Sequence, residues 1–382
     1  MKYLLIQNGL FNNKIKDILI KEDKIIDTDF KGDLPDNCQV IDARGKRVAP
    51  GFIDIHLHGG GGFDFMDCTE EALLKISETH LKCGATTIVP TAVSSSFDKT
   101  LEFIEMFKRT KSSCPNFLGI HLEGPYISPL QKGAHKEKYL HCPNVDETEQ
   151  LLSAGKGIIS TITAAPELEG AMEFAEIMAE NGVLMSVGHS NATSDVVLEA
   201  FNRGFSHVTH LYSATTTVRK VGQTVMAGIV EAAYLSDSAT IELIADGCHA
   251  AKDALRLAVK IKGADKVALV TDALRPAGTD VKESWLGEKI PENRVIIEDG
   301  VAKLPDRSFF AGSIATANIV LKKACTHYGL SFADAIKMVT ETPAKIMKLA
   351  AKGRIEKGFD ADIVLLDNAL DVCTVIKNGE LV

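Results

Sequence analysis

Six residues of metal-binding type stand out along the chain: His56 and His58 in Ile55-His56-Leu57-His58, Glu123 in His121-Leu122-Glu123-Gly124-Pro125, His189 in Gly188-His189-Ser190, His210 in Thr209-His210-Leu211, and Asp272 in Val270-Thr271-Asp272. Imidazole and carboxylate are the donors that borderline divalent metals take, and a catalytic ion needs about three protein ligands plus an open position for water. Along a strand, residues i and i+2 face the same side, so His56 and His58 can share one ion. Each residue also has a plainer reading. A lone histidine is more often a satisfied core or surface residue, which is how His80, His141, His207 and His327 read. Glu123 ahead of Gly124-Pro125 suits a turn, and Asp272 after an apolar run suits a helix cap. Their common placement, each at the C-terminal end of an apolar strand, favours a metal site.

Those strands are Gly51 to His58, Ala85 to Thr91, Asn116 to Glu123, Gly157 to Ala164, Val183 to His189, His207 to Leu211, Thr240 to Ala245 and Lys266 to Thr271. Amphipathic patterns with apolar spacings of three and four, such as Glu70 to Lys82, Leu168 to Asn181 and Ala251 to Lys262, lie between several of them. Regular alternation implies parallel strands with helical crossovers, and eight such units imply a closed α/β structure, a (β/α)8 TIM-type barrel whose active site lies at the C-terminal strand ends. An open doubly wound sheet is the alternative, but the chain carries neither a Gly-rich dinucleotide fingerprint nor a Walker lysine in context. The ends differ in texture. Tyr3 to Gln7, Asp17 to Lys21, Lys24 to Asp27 and Gln39 to Asp42, with turns at Asn8-Gly9 and Glu22-Asp23, read as short strands, as do Ala361 to Asp367 and Cys373 to Gly379. Isolated hairpins are marginal, so the two ends are expected to share a small β-sandwich domain of residues 1–49 plus 352–382, with the barrel at 50–351. Trp285 to Asp306, centred on Glu298-Asp299-Gly300, reads as a hairpin inserted after the eighth strand.

Composition excludes several classes. Across 382 residues, 45% hydrophobic and 24% charged content fits a globular chain, and a net charge of −9 provides no basic field for a nucleic-acid partner. The eight cysteines are scattered without C-x-x-C, which argues against a zinc ribbon or disulfide framework. No apolar run approaches a spanning segment, and the N-terminus lacks a signal h-region, so no membrane partner and a cytoplasmic, reduced location are expected.

The quoted motifs, with Pro50-Gly51-Phe52-Ile53-Asp54, His121-Leu122-Glu123-Gly124-Pro125-Tyr126, Asp246-Gly247-Cys248-His249, Ala311-Gly312-Ser313 and Gly353-Arg354-Ile355-Glu356-Lys357-Gly358, resemble the amidohydrolase superfamily from end to end. More narrowly they resemble the N-acetylglucosamine-6-phosphate deacetylases; H-x-H is shared widely, whereas H-L-E-G-P-Y is far more specific. The resemblance implies that Glu123, His189 and His210 are the main metal ligands and that His56 and His58 form a second metal site, for one or two divalent ions: zinc, with iron or manganese as alternatives. It implies that Asp272 is the catalytic aspartate, taking a proton as water attacks the acetyl carbon and returning it to the departing amine. His249 and His135 match residues contacting the sugar phosphate, and Ser213 and Ala214 lie in the substrate loop.

That loop, His210-Leu211-Tyr212-Ser213-Ala214-Thr215-Thr216-Thr217-Val218-Arg219-Lys220-Val221-Gly222, departs from the pattern. Serine replaces an asparagine, a proline is gone, and the loop is shorter by about two residues. Arg219 is the candidate phosphate contact, reaching across a homodimer interface as the resemblance implies. Lys220 is a substitute that would act as a point charge, and both also read as solvated loop charges. The expected substrate is the small-molecule amino sugar phosphate N-acetylglucosamine 6-phosphate. The galactosamine epimer, another N-acyl amino sugar and a non-catalytic sugar-phosphate-binding relative remain as alternatives.

Overall fold

A computed structural model describes residues 2–382. The strand-rich ends come together as expected. Tyr3–Phe11, Lys14–Lys21, Lys24–Asp27, Cys38–Asp42 and Arg47–Pro50 join Ile363–Leu366, Val372–Lys377 and Glu380–Leu381 in one eight-stranded sheet. Its core is a cluster including Leu4, Ile6, Ile18, Ile20, Ile363, Leu365 and Ile376. The Asn8-Gly9 turn is corrected: the first strand runs through it to Phe11, with a register shift between Ile6 and Gly9. Asn8 sits at φ 57°, its N–H donates to Asp17 Oδ1 at 2.8 Å, and the chain bulges there instead of reversing. The reversal comes at Asn12-Asn13, both at positive φ.

The barrel strands are β1 (Phe52–Leu57), β2 (Ala85–Val93), β3 (Ile120–Glu123), β4 (Ile159–Ala164), β5 (Leu184–Val187), β6 (Phe205–Val208), β7 (Thr240–Ile244) and β8 (Val267–Val270), paired in parallel in chain order. A parallel bridge between Leu57 and Ala273 closes β8 onto β1. His58 N–H donates to Ala273 O at 2.8 Å and Asp272 N–H to His56 O at 2.9 Å, so closure itself sets Asp272 beside the H-x-H pair. The expected strand at His207 to Leu211 is shifted. It ends at Val208 because His210 and Tyr212 take φ 27° and 81°, which no extended strand accommodates.

Helices cover the outer face. Glu70–Lys82 starts where Thr69 Oγ1 accepts from Ala72 N–H at 3.2 Å, and it buries Leu73, Ile76 and Leu81 against the barrel. Each such aliphatic side chain contributes roughly 1.5–3 kcal/mol. The expected insertion is larger than one hairpin: Glu283–Trp285, Arg294–Glu298, Val301–Lys303 and Phe310–Ser313 form a four-stranded antiparallel sheet. Arg275, 2% exposed, ties this sheet to the barrel. Its guanidinium donates to both oxygens of Asp67 at 2.5 and 2.8 Å and to Gly287 O at 2.7 Å. The loop after His210 is itself a hairpin, Arg219–Val221 with Thr224–Met226.

Candidate active site

The C-terminal ends of β1, β3, β5, β6 and β8 deliver all six expected residues to one point. Glu123, at the end of β3, is its centre. Its Oε1 lies 2.8 Å from His210 Nε2, 3.2 Å from His189 Nε2 and 3.5 Å from His56 Nε2. Its Oε2 lies 3.2 Å from His58 Nε2 and 3.3 Å from His135 Nε2. Asp272 Oδ1 stands 3.2 Å from His58 Nε2 and 3.7 Å from His56 Nε2. His189, His210 and Asp272 all have positive φ, at 48°, 27° and 48°. Such strand-end backbone costs energy and persists where surrounding structure holds it, a pattern concentrated at functional sites.

The far nitrogen of most rings is anchored. His56 Nδ1 pairs with Glu242 Oε2 at 2.9 Å, His189 Nδ1 with Gln131 O at 2.9 Å, His210 Nδ1 with Ser213 O at 3.2 Å and His135 Nδ1 with Ser94 Oγ at 2.8 Å. Anchoring at Nδ1 fixes each ring with its Nε2 turned inward, the arrangement that metal-binding histidines use.

The donor set fits divalent metal. Donors about 2.1 Å from a tetrahedral ion lie about 3.4 Å from each other, close to the spacings around Glu123. Three groups satisfy this proximity: His56, Glu123 and His210; His56, His58 and Asp272; and Glu123, His135 and His189. His56 Nε2 and His58 Nδ1, both buried, have no hydrogen-bond partner among the described residues. Charge points the same way. Burial works against ionised Glu123, yet the charge of His56 and the hydrogen bonds from His135 and His189 hold its carboxyl well below the ordinary range. Burial alone would strip the proton from His58, but hydrogen bonds to Asp272 and Glu123 lift it to about 9. Burial likewise opposes ionised Asp272, and its hydrogen bond with His58 prevails and keeps the carboxyl low. Buried carboxylates that hold protons on neighbouring imidazoles demand positive charge, which a divalent cation supplies.

Above the cluster opens a cavity of about 350 Å³ whose walls include Glu123, His135, His189, His210, Ser213, Ala214, His249 and Asp272. His249 Nδ1 pairs with Asp246 Oδ2 at 2.7 Å, and this hydrogen bond outweighs burial to raise its pKa. The inserted sheet and its loops contribute Leu286, Phe309, Phe310, Ala311 and Gly312 to the cavity wall. Arg219 is not among the lining residues; its Nη2 donates to Asn191 O at 2.8 Å, and Nη1 has no partner among the described residues.

Two residues escaped the sequence reading. Glu242 on β7 is 1% exposed and supports His56; its sequence signal is a carboxylate in the middle of the apolar run Thr240-Ile241-Glu242-Leu243-Ile244. His207, read as a plain core residue, is buried and bonded to Thr240 Oγ1 at 2.6 Å, but it also lies 3.2 Å from Glu242 Oε1.

Residues 47–382 match the amidohydrolase family. The N-acetylglucosamine-6-phosphate deacetylase of Lysinibacillus sphaericus is 32% identical over 89% of this chain and 87% of that protein. The N-acetylgalactosamine-6-phosphate deacetylase of Shewanella sp. (strain ANA-3) is 30% identical over 87% of this chain and 82% of that protein. The crystal structure of the N-acetylglucosamine-6-phosphate deacetylase from Pasteurella multocida superposes with a TM-score of 0.92 at 30% identity, covering 100% of this chain and 99% of that one. The chain belongs to the amidohydrolase family and, within it, to the N-acetylglucosamine-6-phosphate deacetylases.

Proposed function

We propose that this chain removes the acetyl group from N-acetylglucosamine 6-phosphate in the cytoplasm, giving glucosamine 6-phosphate and acetate. The barrel of residues 50–351 performs the reaction, and residues 1–49 with 352–382 form the accompanying domain. The observation that carries the reading is the convergence of five imidazole Nε2 atoms on Glu123, with Asp272 beside them at a cavity floor. Glu123, His189 and His210 would hold one divalent ion, and His56 and His58 a second; zinc, iron and manganese are the metals to test. A bound divalent ion lowers the pKa of water and polarises an amide carbonyl.

The protein's own groups do the rest. Asp272 Oδ1 accepts the proton of the attacking water and returns it to the amide nitrogen as the C–N bond breaks. The water oxygen ends in acetate, and the nitrogen leaves as an amine. His249, with Nδ1–H held by Asp246, presents Nε2–H to the oxygen on which charge develops. His135, Ser213 and Ala214 orient the sugar.

Arg219 is proposed as the phosphate contact, delivered across a homodimer interface. Its position outside its own chain's cavity lining and the exposed Val218, Val221 and Val225 around it support that reading. The galactosamine epimer is the second reading, favoured by the Shewanella relative.

Acetate release from both 6-phosphates and both free sugars, with each metal, tests the proposal. The glucosamine derivative should have the highest kcat/KM, and Arg219→Ala should raise KM for phosphorylated substrates alone. Preference for the galactosamine derivative would favour the second reading, and no release from any of the four would overturn both.

A further inference from the structure

We infer that Glu242 is a positioning residue for the metal centre, holding His56 in the tautomer and orientation that let its Nε2 bind an ion. The inference rests on the metal-dependent reading above.

The carboxylate of Glu242 is buried beneath the cluster, and three groups surround it: His56 Nδ1 at 2.9 Å, His207 Nε2 at 3.2 Å and the His210 backbone N–H at 3.3 Å. An ionised carboxylate survives in such a place only with partners for its oxygens. An imidazole that binds a metal must be neutral, and it then has one N–H. With that N–H on Nδ1, it donates to Glu242 Oε2 and leaves a lone pair on Nε2. The opposite tautomer would set the Nδ1 lone pair against a carboxylate oxygen at 2.9 Å.

A second observation agrees. His56 Nε2 is buried, has no hydrogen-bond partner among the described residues, and faces Glu123 Oε1 at 3.5 Å and Asp272 Oδ1 at 3.7 Å. The ring is thus tied on one side and free on the side where the donors gather. Glu242 is tied in its turn by His207, whose Nδ1 is bonded to Thr240 Oγ1 at 2.6 Å. His56 belongs to two of the three donor groups, one with Glu123 and His210 and one with His58 and Asp272, and Glu242 also grips the backbone of His210. One buried carboxylate therefore sets a side chain that serves two groups and the main chain of a further ligand in one of them.

Removing such an outer carboxylate costs about 10- to 100-fold in metal affinity. The test is zinc competition against a chromogenic chelator, with metal content per chain, for wild type, Glu242→Gln, His56→Gln and the double variant. Glu242→Gln should bind at least one zinc 10- to 100-fold more weakly than wild type, and in the His56→Gln background the loss should be smaller, only the part through the His210 backbone remaining. Equal zinc affinity and content in wild type and Glu242→Gln would overturn the inference alone, as would an undiminished loss in the His56→Gln background. A wild type that binds no zinc, iron or manganese would overturn the metal reading and this inference with it. Should Glu242→Gln fail to fold, the imidazole nitrogen spectrum of zinc-loaded wild type decides: the proton of His56 should be on Nδ1, and a proton on Nε2 refutes the role.

Discussion

Arg275 offers a test of how the inserted sheet is held over the cavity. Its side chain is almost wholly buried and makes a two-pronged ion pair with Asp67, which lies in the segment after β1, while Gly287 O, in the loop between the first two strands of the inserted sheet, accepts a third bond. Asp64 Oδ2 accepts from Gly287 N–H at 2.9 Å on the same seam. Replacing Arg275 with methionine keeps most of the volume but leaves Asp67 and Gly287 O without their donor. Breaking one side of a buried pair costs about 3–5 kcal/mol, whereas replacing both sides with apolar groups is often close to neutral. Arg275→Met and Asp67→Leu should therefore each lower the unfolding free energy in urea by about 3–5 kcal/mol, and the double variant should lose far less than the sum, with a coupling of at least about 2 kcal/mol. Leu286, next to the clamp, lines the cavity, so Arg275→Met should also raise KM. Strictly additive losses, or a single-variant loss below about 1 kcal/mol, would refute the clamp.

Other consequences are as direct. Asp272→Asn should lower kcat by about 10²- to 10⁴-fold with metal content retained, measured by acetate release and metal analysis; near-full turnover would remove Asp272 from the proton path. His80, in the core with Nε2 bonded to Gly59 O, is held neutral by burial, its pKa brought down to about 4. The unfolded chain, with histidine near 6.5, binds more protons between those values, so this stability is present above about pH 6.5 and lost as pH falls toward about 4, by on the order of 3 kcal/mol. Denaturation of wild type and His80→Gln across that window should show the steeper acid loss in wild type; parallel curves would contradict it.

How much of this was legible in sequence depended on how local the signal was. Glu70 to Lys82 was readable to the residue because Thr69 caps it and its apolar spacing is regular. The strand ends bearing Glu123, His189 and Asp272 were readable because apolar runs stop at polar, metal-binding residues. Asn8-Gly9 misled because the local preference for a turn was overridden by sheet pairing across it. The role of Glu242 was hidden because it depends on His56 from a distant strand, a contact made only when the barrel closes. Likewise the inserted sheet could be seen only in its central hairpin, whose turn at Asp299-Gly300 is local, since Glu283–Trp285 and Phe310–Ser313 join it across longer connections.

The central claim is amide hydrolysis at a metal-binding cluster built around Glu123, and one titration tests it most directly. Protein stripped by chelator is reloaded with zinc in steps, and acetate release from N-acetylglucosamine 6-phosphate is followed against zinc bound per chain. Turnover should be absent in the stripped protein and should rise with bound zinc until one or two ions per chain are held. Full turnover in metal-free protein, or release that bears no relation to bound metal, would contradict the account.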